Sequence, residues 1–225
     1  MSEANDLQGE PKGKMEREDT ARLDAERWGE LCRRLVPDLD AAAAFEPLAA
    51  AYAESHRAYH NAEHIVECLE RFDEFAGEAE RPDEIEFALW LHDAVYKTRG
   101  GDSEALSADW AARLLREGGA AEAVVDRVEA MILATKHAAD PPFPDAALMV
   151  DIDLSILGRD PERFDRYEAD VRREYRWVPS PLFRAKRKEM LVAFMERPSL
   201  YSTAAFNSRF EEAARENLSR SIAKL

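Results

Sequence analysis

An all-α domain is predicted by three features of the chain. From about residue 20 onward the strong helix formers Ala, Leu, Glu and Arg dominate, apolar positions recur at spacings of three and four, and no segment sustains the β-branched alternation of a strand. Candidate helices follow in order over residues 20–36, 39–55, 60–77, 82–96, 103–117, 120–136, 151–157, 161–176, 181–196 and 204–223. Their ends carry recognisable punctuation. Pro82 suits a first helical position, where its missing N–H costs nothing, and Asp102 or Ser103 can cap the helix that follows. Gly118-Gly119 stops that helix, and "DPPFP" at 140–144 reads as a rigid loop. The aromatic sets Phe87, Trp90, Trp110 and Phe164, Tyr167, Trp177 fall on helical stripes and are expected in the core.

Residues 1–17 are polar and are expected to form a disordered leader, with residues 18–225 as a single helical domain. Apolar residues make up 46% of the chain, with 9 Gly and 11 Pro, the composition of a globular protein. A net charge of −15 opposes sequence-independent binding to a nucleic acid polymer or an anionic membrane, because the summed field repels phosphate. There is no apolar run long enough to span a bilayer and no secretory leader pattern at the N-terminus, so a cytoplasmic protein is expected. Cys32 and Cys68 form no CxxC or zinc-type spacing and are expected as buried, reduced thiols. Oligomeric state is not legible.

Three of the five histidines lie in "SHRAYHNAEHIVECLERF", residues 55–72. His60 and His64 stand four residues apart, which on a helix places both imidazoles on one face. Next, the apolar run "ALWL" leads directly into His92-Asp93, where a buried charge needs a partner or a cation. The run "ALMVDIDLSILG" at 147–158 is then interrupted by two carboxylates, Asp151 and Asp153, one of which can serve as a cap. Together these stretches supply His, His-Asp and Asp on three helices, all in apolar surroundings. Such mixed donors suit a divalent ion such as Mn, Fe, Ni, Co or Zn, with Mg kept as a candidate, better than Ca.

The motifs "HRAYHNAEHI", "ALWLHDAVY", "DIDLSILG", "VRREY" and "RPSLYSTAAF", in this order across residues 50–220, resemble the HD superfamily of metal-dependent phosphohydrolases, and most closely a bacterial subgroup of it. "YHNAEH" is also similar to a fragment of the cyclic nucleotide phosphodiesterases. The resemblance implies an HD-type helical bundle with His64, His92 and Asp93 as metal ligands and His60 as the acid that protonates the leaving oxygen. It implies one of Asp151 and Asp153 as the last ligand, Asp153 being favoured. The chain departs from the pattern at Tyr96, where phosphodiesterases carry a further His, and at Ser103, where "SEALSA" has Ser for Asn but keeps Glu104 and Ser107. The number of ions, one or two, stays open.

The function expected is hydrolysis of a small phosphate ester, nucleotides being the first candidates. Glu104 and His137 are candidates to orient the attacking water, His137 reading equally as a helix-terminus residue. An acidic protein needs a positive group for such a substrate, and Arg57 and Arg173 are the candidates because guanidinium pairs bidentately with phosphate. The run "RAKRKEM" at 184–190 reads instead as a solvated helix face. Two alternatives are a metal-binding regulatory or ligand-binding domain without activity, and a non-phosphate reaction of the kind HD folds also host.

Overall fold

The computed structural model describes residues 23–225, so the expected leader, residues 1–17, lies outside them. Ten α-helices follow one another: α1 Ala25–Leu35, α2 Ala41–Tyr52, α3 Ala62–Phe75, α4 Pro82–Leu91, α5 Ser103–Glu117, α6 Glu122–Ala134, α7 Pro144–Asp153, α8 Pro161–Glu174, α9 Ser180–Met195 and α10 Ala204–Lys224. No strand occurs among the described residues, and the all-α prediction holds.

The centre of the bundle is α4. Its residues Ile85 to Leu91 are apolar apart from Glu86 and almost wholly buried, so the helix has no solvent face, and it packs against α1, α3, α5, α6 and α7. The two acids inside this sheath are paired, Glu84 with Arg127 and Glu86 with Arg27 and Arg34. Among the described residues no helix is long and apolar enough to cross a membrane.

Several boundaries differ from the sequence expectation, each for a local reason. Helix α3 begins at Ala62, because Asn61 is extended and its side chain accepts the Glu63 N–H at 2.9 Å. His60 therefore sits before the helix and not on its face. Helix α4 stops at Leu91 instead of 96, where the buried Arg57 guanidinium takes the carbonyls of Asp93 and Ala94 and draws the chain into a turn. Helix α7 starts at Pro144, well before the expected 151, and passes into a 3-10 turn over Leu154–Gly158. Its first-turn Asp145 accepts the N–H groups of Glu80 and Arg81 at 2.8 and 3.0 Å. The end of α5 is as expected: Gly118 caps it and Gly119 turns away at φ 79°.

Phe87, Trp90 and Phe164 are core residues as expected, whereas Trp177 is 46% exposed. It lies in the α8–α9 connection, and its indole N–H donates to Thr98. Cys32 and Cys68 are both buried and free.

Candidate metal centre and cleft

Helices α3, α4 and α7 touch one another pairwise, and the cluster lies where they meet. His64 comes from the first turn of α3, His92 and Asp93 from the turn that ends α4, and Asp153 from the last residue of α7. Two helix C-termini thus direct partial negative charge at the same point, a setting that favours a cation.

The donor atoms converge. His64 Nε2 stands 3.2 Å from His92 Nε2, 3.4 Å from Asp93 Oδ2 and 3.3 Å from Asp153 Oδ1. His92 Nε2 stands 3.3 Å from Asp93 Oδ2 and 3.6 Å from Asp153 Oδ1. Ligands held roughly 2.0–2.2 Å from one ion are separated by about 2.8–3.1 Å across an octahedral edge and about 3.3–3.6 Å across a tetrahedral one, so these spacings fit a single divalent ion. The imidazole of His92 is oriented for that role: its Nδ1 faces the Leu89 carbonyl at 2.9 Å, which fixes a proton there and turns Nε2 toward the cluster. A further donor, the Cys68 thiol, lies 3.7–3.8 Å from the His64 ring nitrogens, and His64, Cys68, His92 and Asp153 form a group that could hold a metal ion.

The electrostatics of the cluster are those of interlocked opposite charges. Burial pushes the Asp93 carboxyl up, but His92 and His60 outweigh it and hold the group well below the carboxylate range. Asp153 is half-buried; desolvation pushes it up, and its bonds to His137, His64 and His92 outweigh this and hold it far down. His92 moves the other way: burial lowers it, and the charge of Asp93 with the bonds to Asp153 and Asp93 raises it well above the ordinary imidazole value.

Asp151 has a different task. It is buried on α7 and accepts the Ser202 N–H at 2.8 Å and both the N–H and hydroxyl of Thr203 at 2.7 Å, which fixes the entry to α10. Its oxygens are committed there, and Asp153 is the carboxylate in the cluster.

Beside the cluster, His60 is held by a residue that the sequence reading passed over. Glu174 Oε1 accepts the N–H groups of Ala58, Tyr59 and His60, each at 2.9 Å, and Oε2 lies 2.7 Å from His60 Nδ1 and accepts the Tyr96 hydroxyl at 2.9 Å. Burial raises Glu174, but the His60 imidazole and these N–H donors bring it down to about 2. An ionised carboxylate only accepts, so the proton at Nδ1 belongs to His60. Burial lowers His60 in turn, and Asp93 and Glu174 raise it above its ordinary value. The Tyr96 ring stacks on the imidazole at 4.1 Å, so the residue that departs from the phosphodiesterase pattern braces His60.

His60, His92, Asp93 and Asp153 open on one cleft of about 280 Å³, also lined by Glu104, Lys136, His137, Tyr167, Tyr175 and Arg187 among others. His137 takes a left-handed backbone conformation at φ 55°, with its carbonyl held by Arg197 and its Nε2 3.3 Å from Asp153 Oδ2. It faces the cluster and not the dipole of α6. Glu104 reaches the cleft wall from the first turn of α5.

The two arginines chosen as substrate groups are elsewhere. Arg57 is buried and donates to the carbonyls of His60, Asp93 and Ala94 and to Glu54, so it joins the His60 and Asp93 segments and has no free edge for phosphate. Arg173 is exposed, pairs with Asp170 at 2.8 Å and does not line the cleft. Each is a charge near a motif, and that position does not reveal what a guanidinium already binds. The residues missed are Cys68, Glu174 and Arg187. Cys68 carried a signal, since it stands four residues after His64, and that pair, not His60 and His64, shares a face of α3.

Compared with known proteins, the chain matches no family model, and no curated protein or solved structure matches it.

Proposed function

We propose that this chain is a metal-dependent phosphohydrolase of the HD type, acting on a small phosphate ester. The observation that carries the reading is the cluster beside the cleft: two imidazole nitrogens 3.2 Å apart, each 3.3–3.6 Å from a carboxylate oxygen of Asp93 and of Asp153, with a carboxylate-bound histidine next to them. His64, His92, Asp93 and Asp153 would hold the ion, and Mn, Fe, Ni, Co, Zn and Mg all accept such donors. A bound divalent ion supplies Lewis-acid polarisation of a phosphoryl oxygen and lowers the pKa of water at neutral pH.

The chain's own groups supply the rest. His60, with Nδ1–H on Glu174 and its protonated form favoured, is the candidate to give a proton to the departing alkoxide. Glu174 fixes its tautomer and ring direction, and Tyr96 limits its rotation. Glu104 and His137, on the cleft wall, are the groups available to orient water. The enclosing aromatics Tyr59, Tyr167, Tyr175 and Phe194 exclude bulk solvent and strengthen each charge interaction inside.

The test is a metal-supplemented screen of nucleoside mono-, di- and cyclic phosphates with wild type and His60→Ala side by side, metal content being measured on the same samples. Turnover by wild type, falling roughly 10²–10⁴-fold in His60→Ala at equal metal content, is expected. A well-metallated wild type that turns over no phosphate ester would retire the reading in favour of a binding domain or another reaction.

A further inference from the structure

The cleft holds a buried cation that neither the metal centre nor the acid uses. Helix α9 is exposed along most of its length, and of its residues only Arg187 and Leu191 are buried. Arg184, Lys186 and Lys188 face solvent, as the sequence reading of "RAKRKEM" expects, but Arg187 turns inward and is 5% exposed. A guanidinium taken from water needs acceptors for its donors, and here the one charged acceptor, Glu168, stands on one side only. Nε, at 3.1 Å, and Nη2 both donate to Glu168 Oε1. The other Glu168 oxygen is taken by the Ser221 hydroxyl. Nη1, on the opposite side, has the thioether of Met190 at 3.2 Å, a weak acceptor, and the guanidinium lies over the Tyr167 ring, whose hydroxyl is also in reach. Thus Glu168 anchors the guanidinium at the rear, and its remaining donors stand in the wall of the cleft that also holds His60, Asp93 and Asp153.

We infer that Arg187 is the anion-binding group of the cleft, its Nη1 edge receiving an oxygen of a small phosphate monoester. The inference rests on the reading of the cleft as a phosphate-ester site and adds its substrate class and a binding residue. The volume, about 280 Å³, lies just below the roughly 300–1,000 Å³ of ligand sites, which suits a compact monoester better than a polymer or dinucleotide. The acidic lining of Asp93, Asp153 and Glu104 repels an anion unless positive charge is provided, and Arg187 supplies a fixed, always ionised group, with Lys136 on the same cleft engaged by Asp102 at 2.6 Å.

The test is calorimetric titration of inorganic phosphate into the full chain, with and without Mn(II), using wild type, Arg187→Gln, Arg187→Lys and Arg173→Gln. Wild type is expected to bind phosphate, and Arg187→Gln to raise Kd by about 10–100-fold, the value of a charge-assisted hydrogen bond to a buried cation. Arg187→Lys, which keeps the charge but loses the fork, should fall between them and takes the place of Arg187→Gln if that variant does not fold. Arg173→Gln removes an exposed guanidinium that pairs with Asp170 and does not line the cleft, so phosphate affinity should not change. An Arg187→Gln Kd equal to wild type, an Arg173→Gln loss as large as that of Arg187→Gln, or no phosphate binding by wild type overturns the inference. The two readings separate cleanly: phosphate binding through Arg187 without ester turnover removes the hydrolase and keeps this subsite. Ester turnover with the same KM in Arg187→Gln does the reverse.

Discussion

Asp151 and Asp153 are two positions apart, about 200° around a helix, and this rotation sends one carboxylate to the start of α10 and the other to the metal cluster. Their substitutions should therefore separate. Asp151→Ala removes the acceptor of three donors and is expected to lower stability by roughly 1–3 kcal/mol while the folded protein keeps its metal; Asp153→Asn should abolish metal retention, read by elemental analysis, with the Ser202 and Thr203 bonds to Asp151 intact. Glu174 makes a pH prediction. Its folded value, about 2, lies below the usual carboxylate range, so it contributes stability that is complete above about pH 4.5 and is lost as pH falls toward 2. Glu174→Gln should flatten acid unfolding in that window. His60 has the opposite sign: its raised value adds stability below the ordinary imidazole range that disappears as pH rises through the folded value. Without the Glu174 charge its protonated form is lost earlier, and the alkaline limb of the pH–rate profile should move to lower pH.

At the scale of elements, the 3-10 turn Leu154–Gly158 lies against α10 so closely that a Cβ on Gly158 would come within 2.7 Å of Phe210 Cβ and 2.9 Å of its carbonyl oxygen. Gly158→Ala is expected to cost about 1–3 kcal/mol by overpacking, measurable by denaturant unfolding. Most helices were legible because their apolar periodicity is strong and their stops are glycine or proline. The failures fall where a distant partner overrides a local preference: Arg57 ends α4 from 36 residues away, seen in its bond to the Asp93 carbonyl. Two of the stretches that meet at the cluster stand out for a related reason, since His92, Asp93, Asp151 and Asp153 are charged or polar residues inside apolar runs, and such placements need a cause; the run does not tell which of Asp151 and Asp153 faces the cluster. Glu174 and Arg187 had no such contrast. They are two among 46 acidic and 31 basic residues, in charged helical segments, and only the folded chain brings Glu174 to His60 across a separation of 114 residues.

For the molecule as a whole, the net charge of −15 implies self-repulsion that counter-ions relieve. Raising ionic strength from about 10 mM toward 150 mM shortens the screening length from about 30 to about 8 Å, and the melting temperature of the metal-free protein should rise with it. Addition of a binding divalent ion should raise it further, by the equivalent of about 2.7 kcal/mol at a hundredfold excess over Kd. The position of Asp151 carries one more consequence. The last turn of α7 bears both the carboxylate of the cluster and the one that bonds the Ser202 and Thr203 amides. Those two amides, far along the chain at the threshold of the C-terminal helix, are thus wired to the rigidity of the cluster. Deuterium uptake at Ser202 and Thr203 should slow when the ion is added, a remote clock for loading that requires neither a substrate nor a coloured metal.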